Sequence, residues 1–172
     1  RRQRQMCIRD RNVGEHKVSA TDPTKDTDGN DLASMHNLAW INGTRFGETV
    51  SAPDLLSEGV GKLMAQYGAG VYVETYGGGD TVTGTDYGDS FVLGKGINYL
   101  DGGASLGSSL RSRDGDILEI YVGSVAERDA VKVSVLTGSL VGADAAAQAA
   151  GYQYKIVAGD EIDYVRNIEH YS

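Results

Sequence analysis

Cysteine is nearly absent: Cys7 is the only one in 172 residues. No internal disulfide can brace the chain, although that alone does not fix a compartment. Proline is almost as scarce, with Pro23 and Pro53 alone. No apolar run approaches the ~20 residues of a membrane-spanning helix. His16, His36 and His170 stand far apart, so no His-x-x-x-His pair exists to grip a catalytic zinc. There is no G-x-S-x-G nucleophile elbow. Gly77-Gly78-Gly79 is not followed by the Lys-Ser/Thr of a phosphate loop. Positive charge is in deficit, with 16 Lys and Arg against 24 Asp and Glu and a formal net charge of −8. That balance disfavours nucleic acid and anionic membrane as partners and suits a protein that binds cations. With none of these signatures present, the chain is expected not to be an enzyme.

The one basic stretch stands apart from the rest. Residues 1–11, RRQRQMCIRDR, resemble the in-frame translation of a transposase sequencing adapter, and such segments are set aside before fold reasoning. Removing Arg1, Arg2, Arg4, Arg9, Arg11 and Asp10 takes the formal net charge from −8 to −12, and Cys7 leaves with them. The expectation is a fragment from an assembled sequence, cut at both ends. Residues 12–28 then read as a polar linker and 29–172 as one block. Within the linker and its edge, Asp22, Asp26, Asp28, Asn30 and Asp31 invite a cation reading. Counted from Asp26, however, place six is Asp31 and place twelve Asn37, where an EF-hand needs Gly and Glu. A solvated loop is the expectation, with a cation ligand as the alternative.

Glycine is abundant. Its 24 residues are about twice the usual ~7% share, and they are spaced. Thr75–Gly103 divides into nines: TYGGGDTVT, GTDYGDSFV, LGKGINYLD, then GG. The sixth place holds Asp80, Asp89 and Asn98, and the eighth holds Val82, Phe91 and Leu100. Gly43–Val50, GTRFGETV, matches Gly84–Phe91, GTDYGDSF, closely in residue type. A longer echo has an offset of 130 residues. Gly29, Asn30, Asp31 and Leu32 meet Gly159, Asp160, Glu161 and Ile162, while Asn37 and Leu38 meet Asn167 and Ile168.

These nines resemble the calcium-binding nonapeptide G-G-x-G-x-D-x-U-x of RTX (repeats-in-toxin, hemolysin-type) proteins, in a degenerate copy that never shows the intact six-residue loop. The 130-residue echo resembles the D-x-L-x-N-I-E segment that introduces blocks of such repeats. Val131–Glu169 resembles the spacer between blocks, with Val133, Val135, Gly138, Gly142, Asp144, Gly159 and Asp160 in the corresponding places. The resemblance implies an all-β fold, a right-handed parallel β-roll or β-helix solenoid with a short helical insert. In such a roll two nines make one coil, so equivalent loops recur every eighteen residues. It also implies Ca²⁺ held by Asp80, Asp89, Asn98 and Asp86, with carbonyls near Gly77, Gly79, Gly94 and Gly96. An alternative is that the Asp residues only cap turns, without calcium.

The remaining chain is read more coarsely. Pro53 and the stripe Leu55, Leu56, Val60, Leu63 and Met64 predict a short helix within Ser51–Gly68. Asp116–Val122, Val131–Leu136 and Tyr152–Val157 read as strands, with Val131, Val133 and Val135 on one face. Ala143–Ala150 reads as a helical turn or a loop insert. The nonapeptide phase decays where Gly107 and Ser109 occupy the sixth and eighth places. The function implied is a calcium-binding structural or adhesive region of a secreted bacterial protein, exported by a type I system. Its partners would be calcium ions and surface glycans or other cell-surface proteins. Two alternatives stay open: the non-catalytic part of a large secreted enzyme, or a carbohydrate-binding face built on its ten tyrosines.

Overall fold

The structure, a computed structural model, describes residues 12–104 and 115–172. The described residues form two six-stranded sheets and four helices. The first sheet holds β1 (Asn12–Glu15), β2 (Asn37–Asn42), β4 (Ala69–Glu74), β6 (Gly88–Val92), β8 (Ile117–Glu119) and β12 (His170–Tyr171), in the order β1-β2-β4-β6-β8-β12. The second holds β3 (Thr49–Ser51), β5 (Thr81–Thr83), β7 (Gly96–Asp101), β9 (Lys132–Val135), β10 (Tyr154–Ala158) and β11 (Glu161–Arg166), in the order β3-β5-β7-β11-β10-β9. From β2 to β8 successive strands alternate between the sheets, and within each sheet they lie parallel. Parallel neighbours need a crossover, and here the crossover passes through the other sheet.

This architecture corrects the all-β parallel solenoid expected from the nonapeptides: the fold is mixed α/β with mixed sheets. The eighteen-residue register is local. It joins β4 to β6 (Val73 opposite Phe91) and β5 to β7 (Val82 opposite Leu100). Elsewhere, insertions break it. Ile41 faces Val73, Phe91 faces Leu118 and Leu100 faces Val165. Three pairings are antiparallel: β1 with β2, β10 with β11 and β10 with β9. Thus Asn12–Glu15, from the stretch read as a linker, forms an edge strand of the first sheet.

Helices fill the longest insertions. α1 (Ala52–Leu55) and α2 (Glu58–Tyr67) occupy the predicted helical stretch. Pro53 sits in the first turn of α1, where its missing N–H costs nothing. Ser57 caps α2 by accepting from the Val60 amide, and Gly68 ends it in the left-handed conformation. Val60 and Met64 face inward. α3 (Val125–Ala130) and α4 (Gly142–Ala149) come later, α4 covering the expected alanine-rich turn.

One contiguous core takes side chains from both sheets. Ile41, Val71, Val73, Phe91 and Leu118 come from the first, and Val50, Val82, Leu100, Ile156 and Val165 from the second. Alternation along a strand sends every second residue inward, and the apolar eighth places, Val82, Phe91 and Leu100, fill the centre. A satellite core of Leu136, Ala147 and Tyr164 lies under α4, with Tyr99 and Tyr152 against it.

Candidate functional site

Asp80, Asp89 and Asn98 are all buried. Asp89 lies within β6, Asn98 within β7, and Asp80 immediately precedes β5. Their side chains reach sideways to the backbone of the neighbouring parallel strand. In the second sheet, the Glu48 amide donates to Asp80 Oδ1 (3.0 Å), and the Asp80 amide donates to Asn98 Oδ1 (3.0 Å). Asn98 Nδ2 then donates to Asp163 Oδ1 (2.7 Å) and to the Gly94 carbonyl (2.8 Å). In the first sheet, the Val71 amide donates to Asp89 Oδ1 (2.7 Å), the Asp89 amide to Asp116 Oδ1 (2.8 Å), and the Asp116 amide to Glu169 Oε2 (2.7 Å). The sixth places therefore form two polar ladders, one along each sheet, whose rungs follow the strand order β3-β5-β7-β11 and β4-β6-β8-β12.

Two of the residues expected to hold Ca²⁺, Asp89 and Asn98, spend their polar atoms on the protein itself. Both oxygens of Asp89 are occupied: Oδ1 also accepts from the Thr85 hydroxyl (2.9 Å), and Oδ2 from the Thr85 amide. Both polar atoms of Asn98 are engaged as well. Burial, the largest effect on Asp89, pushes its carboxyl up to about 7 against the donors that hold it down, and the nearby Asp86 charge adds to the rise. Asp86 itself is exposed. Gly77, Gly79 and Gly96 adopt positive φ, and the loops stack, the Gly78 amide donating to the Lys95 carbonyl (2.9 Å). Gly94 sits so close beneath that loop that a Cβ would strike the Gly77 amide. Among the described residues, no three His, Cys, Asp or Glu side chains are grouped to hold a metal ion.

Asp116, Asp163 and Glu169 were not foreseen as ladder members. Asp116 takes the rung expected of Gly107, which lies outside the described residues, as does Ser109. Its signal was available, because Asp116 follows Asp89 by three nines. Asp163 and Glu169 had no such signal: long insertions precede them.

The acidic stretch near the front behaves as a set of turns. Asp26 is buried and accepts from the Asn30 amide (2.7 Å), Asn30 Nδ2 (3.0 Å) and the Asp28 amide (2.9 Å), with His16 Nδ1 at 2.9 Å. The Asn30 bond leads in holding its carboxyl down at about 2, against the burial that raises it. Asp22 and Asp31 accept from the Thr24 and Ala33 amides.

Three tyrosines pack together: Tyr99 stacks on Tyr164 (5.2 Å, 16°) and meets Tyr152 at 5.4 Å. Arg166 and Lys155 lie over the Tyr152 and Tyr164 rings.

A second polar group was not anticipated. Glu161 opens β11, and Asp163 follows two residues later on the same inward face. Glu161 Oε1, Asp163 Oδ2 and the Thr75 hydroxyl are buried without a hydrogen-bond partner. Burial raises the pKa of both carboxyls, and the neighbouring Asp163 charge raises Glu161 further. Burial thus disfavours the ionised form of both carboxyls. Glu161 and Thr75 line a cleft of about 710 Å³ at the ends of β4, β6 and β8, walled by Tyr76, Tyr121, Glu74 and Glu127.

In comparison with known proteins, no family model, curated protein or solved structure matches the chain. No helix among the described residues is long and apolar enough to cross a membrane.

Proposed function

We propose that this chain is a non-catalytic structural and adhesive repeat region of a secreted protein, stabilised by Ca²⁺. The observation that supports it most is the pair of ladders. The most polar residues of the repeats are spent inside, bonding strand to strand, and not gathered at an open reactive centre. Five of the six rungs accept a backbone N–H, and Asp163 accepts from the Asn98 side-chain amide, so each buried rung oxygen named is matched with a donor. Such an interior makes a rigid scaffold from a glycine-rich, acidic chain. Asp80, Asp89 and Asn98 act in this reading as internal braces, so calcium enters elsewhere.

The test is thermal unfolding of the full chain, followed by circular dichroism with and without Ca²⁺. The expected result is a higher melting temperature with Ca²⁺, because a ligand held by the folded state alone stabilises it. Identical melts would remove calcium from the function. A second reading, glycan binding, draws on Tyr76 and Tyr121, whose largely exposed rings stand on the rim of the 710 Å³ cleft and offer faces for a sugar ring to stack on. Glycan-array binding that disappears in Tyr121→Ala would favour it.

A further inference from the structure

We infer that two Glu-x-Tyr arms, Glu74–Tyr76 and Glu119–Tyr121, form a recognition site for an arginine side chain presented by a partner protein. The inference rests on the adhesive part of the proposed function and names the chemistry of the adhesive partner; it does not depend on Ca²⁺. Three observations carry it. First, the sheet register brings the arms to one place. Glu74 lies opposite Val92, and Val92 opposite Glu119, in the adjacent parallel strands β4, β6 and β8. The arms are therefore two strand spacings apart, about 10 Å, with Val92 as an apolar floor between them. Each tyrosine follows its glutamate by two residues, and Tyr76, Tyr121, Glu74 and Val92 line the same 710 Å³ cleft. The Tyr121 hydroxyl donates to Glu119 Oε2 (2.9 Å), which holds ring and carboxylate together. Tyr76 stands in the same relation to Glu74, whose charge, after burial, raises its phenol. Tyr72 feels both arms: burial first, then Glu74, Tyr121, Glu119 and Tyr76, push its hydroxyl up to about 12.

Second, the arms are unspent. Tyr76 is 55% and Tyr121 71% exposed. Among the described residues, no basic side chain forms an ion pair with Glu74 or Glu119. Thr75, between Glu74 and Tyr76, lines the cleft with a buried hydroxyl that has no partner. Such groups are nearly always satisfied, so this one marks a place for a ligand donor. Third, the surroundings favour a cation. Glu127, Asp160 and Glu161 also line the cleft, and its one basic side chain, Lys95, is paired with Asp160 (3.4 Å).

The chemistry selects arginine. A guanidinium is flat and always charged, stacks on aromatic faces, and offers five N–H donors, enough to meet carboxylates on two sides. An ammonium is a compact, strongly hydrated point charge without a flat face. A metal ion fits less well, since the described residues gather no three His, Cys, Asp or Glu side chains. A neutral sugar would stack on the same rings but has no charge to match the two carboxylates.

The experiment is an NMR titration of the full chain with the peptide acetyl-Gly-Ser-Arg-Ser-Gly-amide, following the ring signals of Tyr76 and Tyr121. Saturable shifts at both rings are expected, with weaker binding when Lys replaces Arg in the peptide and none when Ala does. Glu74→Gln and Glu119→Gln should each weaken binding about tenfold, the loss of one charged hydrogen bond. Tyr121→Ala should weaken it about fivefold, the loss of one cation–π contact. Glu58→Gln, which removes an exposed charge outside the cleft, should change nothing. Unchanged amide spectra away from the cleft verify that each variant folds. Equal binding of the Arg and Lys peptides that survives Glu119→Gln and Tyr121→Ala is general attraction to an acidic chain and overturns the site. Ring shifts caused by cellohexaose and not by the Arg peptide overturn it in favour of the glycan reading. No shift with the Arg peptide overturns it outright, while the Ca²⁺ melts still decide the calcium reading on their own.

Discussion

The tract Thr75–Asp101 and the tract Val131–Arg166 both alternate apolar and polar residues, yet they fold differently. In the first, β5, β6 and β7 lie parallel to their neighbours, and the alternate residues Val82, Phe91 and Leu100 are buried. In the second, the strand was read with Val131, Val133 and Val135 on one face, and β9 is an antiparallel edge strand with Val133 54% and Val135 60% exposed. The difference lies in what covers each strand. Alternation reports burial only where a second layer packs on it. Glycine spacing adds register, because stacked loops approach one another more closely than a side chain allows.

The comparison can be broken most forcefully at its two apolar rows. Phe91→Ala should cost about 3–5 kcal/mol, as truncation of a buried aromatic does, whereas Val133→Ala should stay within about 0.5 kcal/mol; urea melts of both variants measure the contrast. Equal losses would mean that β9 is covered after all. Glycines give the next contrast. Gly78 has φ +103°, and an added Cβ would collide with the backbone of Phe46 and Gly47, while Gly138 has φ +77° and open space around it. Gly78→Ala should cost about 3 kcal/mol or more, combining strain with collision, and Gly138→Ala only the left-handed strain of about 1 kcal/mol.

The pH dependence separates the ladder from the front turn. Asp89 has a folded value raised to about 7, above the unfolded carboxyl range. Its contribution to stability is complete below about pH 4 and is lost as pH rises toward 7. Asp26, lowered to about 2, does the reverse: its contribution is present above about pH 4 and is lost as pH falls toward 2. Melting temperatures across this range should flatten above pH 4 in Asp89→Asn and below pH 4 in Asp26→Asn. The smallest effect belongs to the satellite core. Tyr164→Phe removes the hydroxyl that donates to Asp144 (2.5 Å) and should cost about 1 kcal/mol by the same melts.

Much of the central tract was legible. The nines fixed which residues face inward and paired Val73 with Phe91 and Val82 with Leu100, because spacing and register are the same information in parallel strands. The helical stretch within Ser51–Gly68 was legible through its apolar stripe and its proline, but its division into two helices at Leu56–Ser57 was not. The fold class was not. Nothing local in Asn12–Glu15 or Tyr154–Ala158 says that these strands run antiparallel, since direction is decided by the connection and not by the residues. The 130-residue echo shows the same limit. Leu38 and Ile168 are both buried beside the first sheet, but Leu32–Ser34 forms a 3-10 turn where the corresponding Ile162 and its neighbours form β11. The back copy has β7 to pair with, and the front copy has no strand in that place. Asp80, Asp89 and Asn98 stand in equivalent places, as the nines predict, and the bonds seen there run to neighbouring strands: a carboxylate that could coordinate an ion from a loop also serves as an acceptor for its neighbour's backbone.

Amide hydrogen exchange in Ca²⁺-free buffer tests that central claim most directly. The ladders predict slow exchange, close to that of global unfolding, at the Val71, Asp80 and Asp89 amides, with protection at Val71 selectively lost in Asp89→Ala. Exchange at these three amides as fast as in exposed loops, slowing only when Ca²⁺ is added, would contradict the account and return Asp80 and Asp89 to the role of metal ligands.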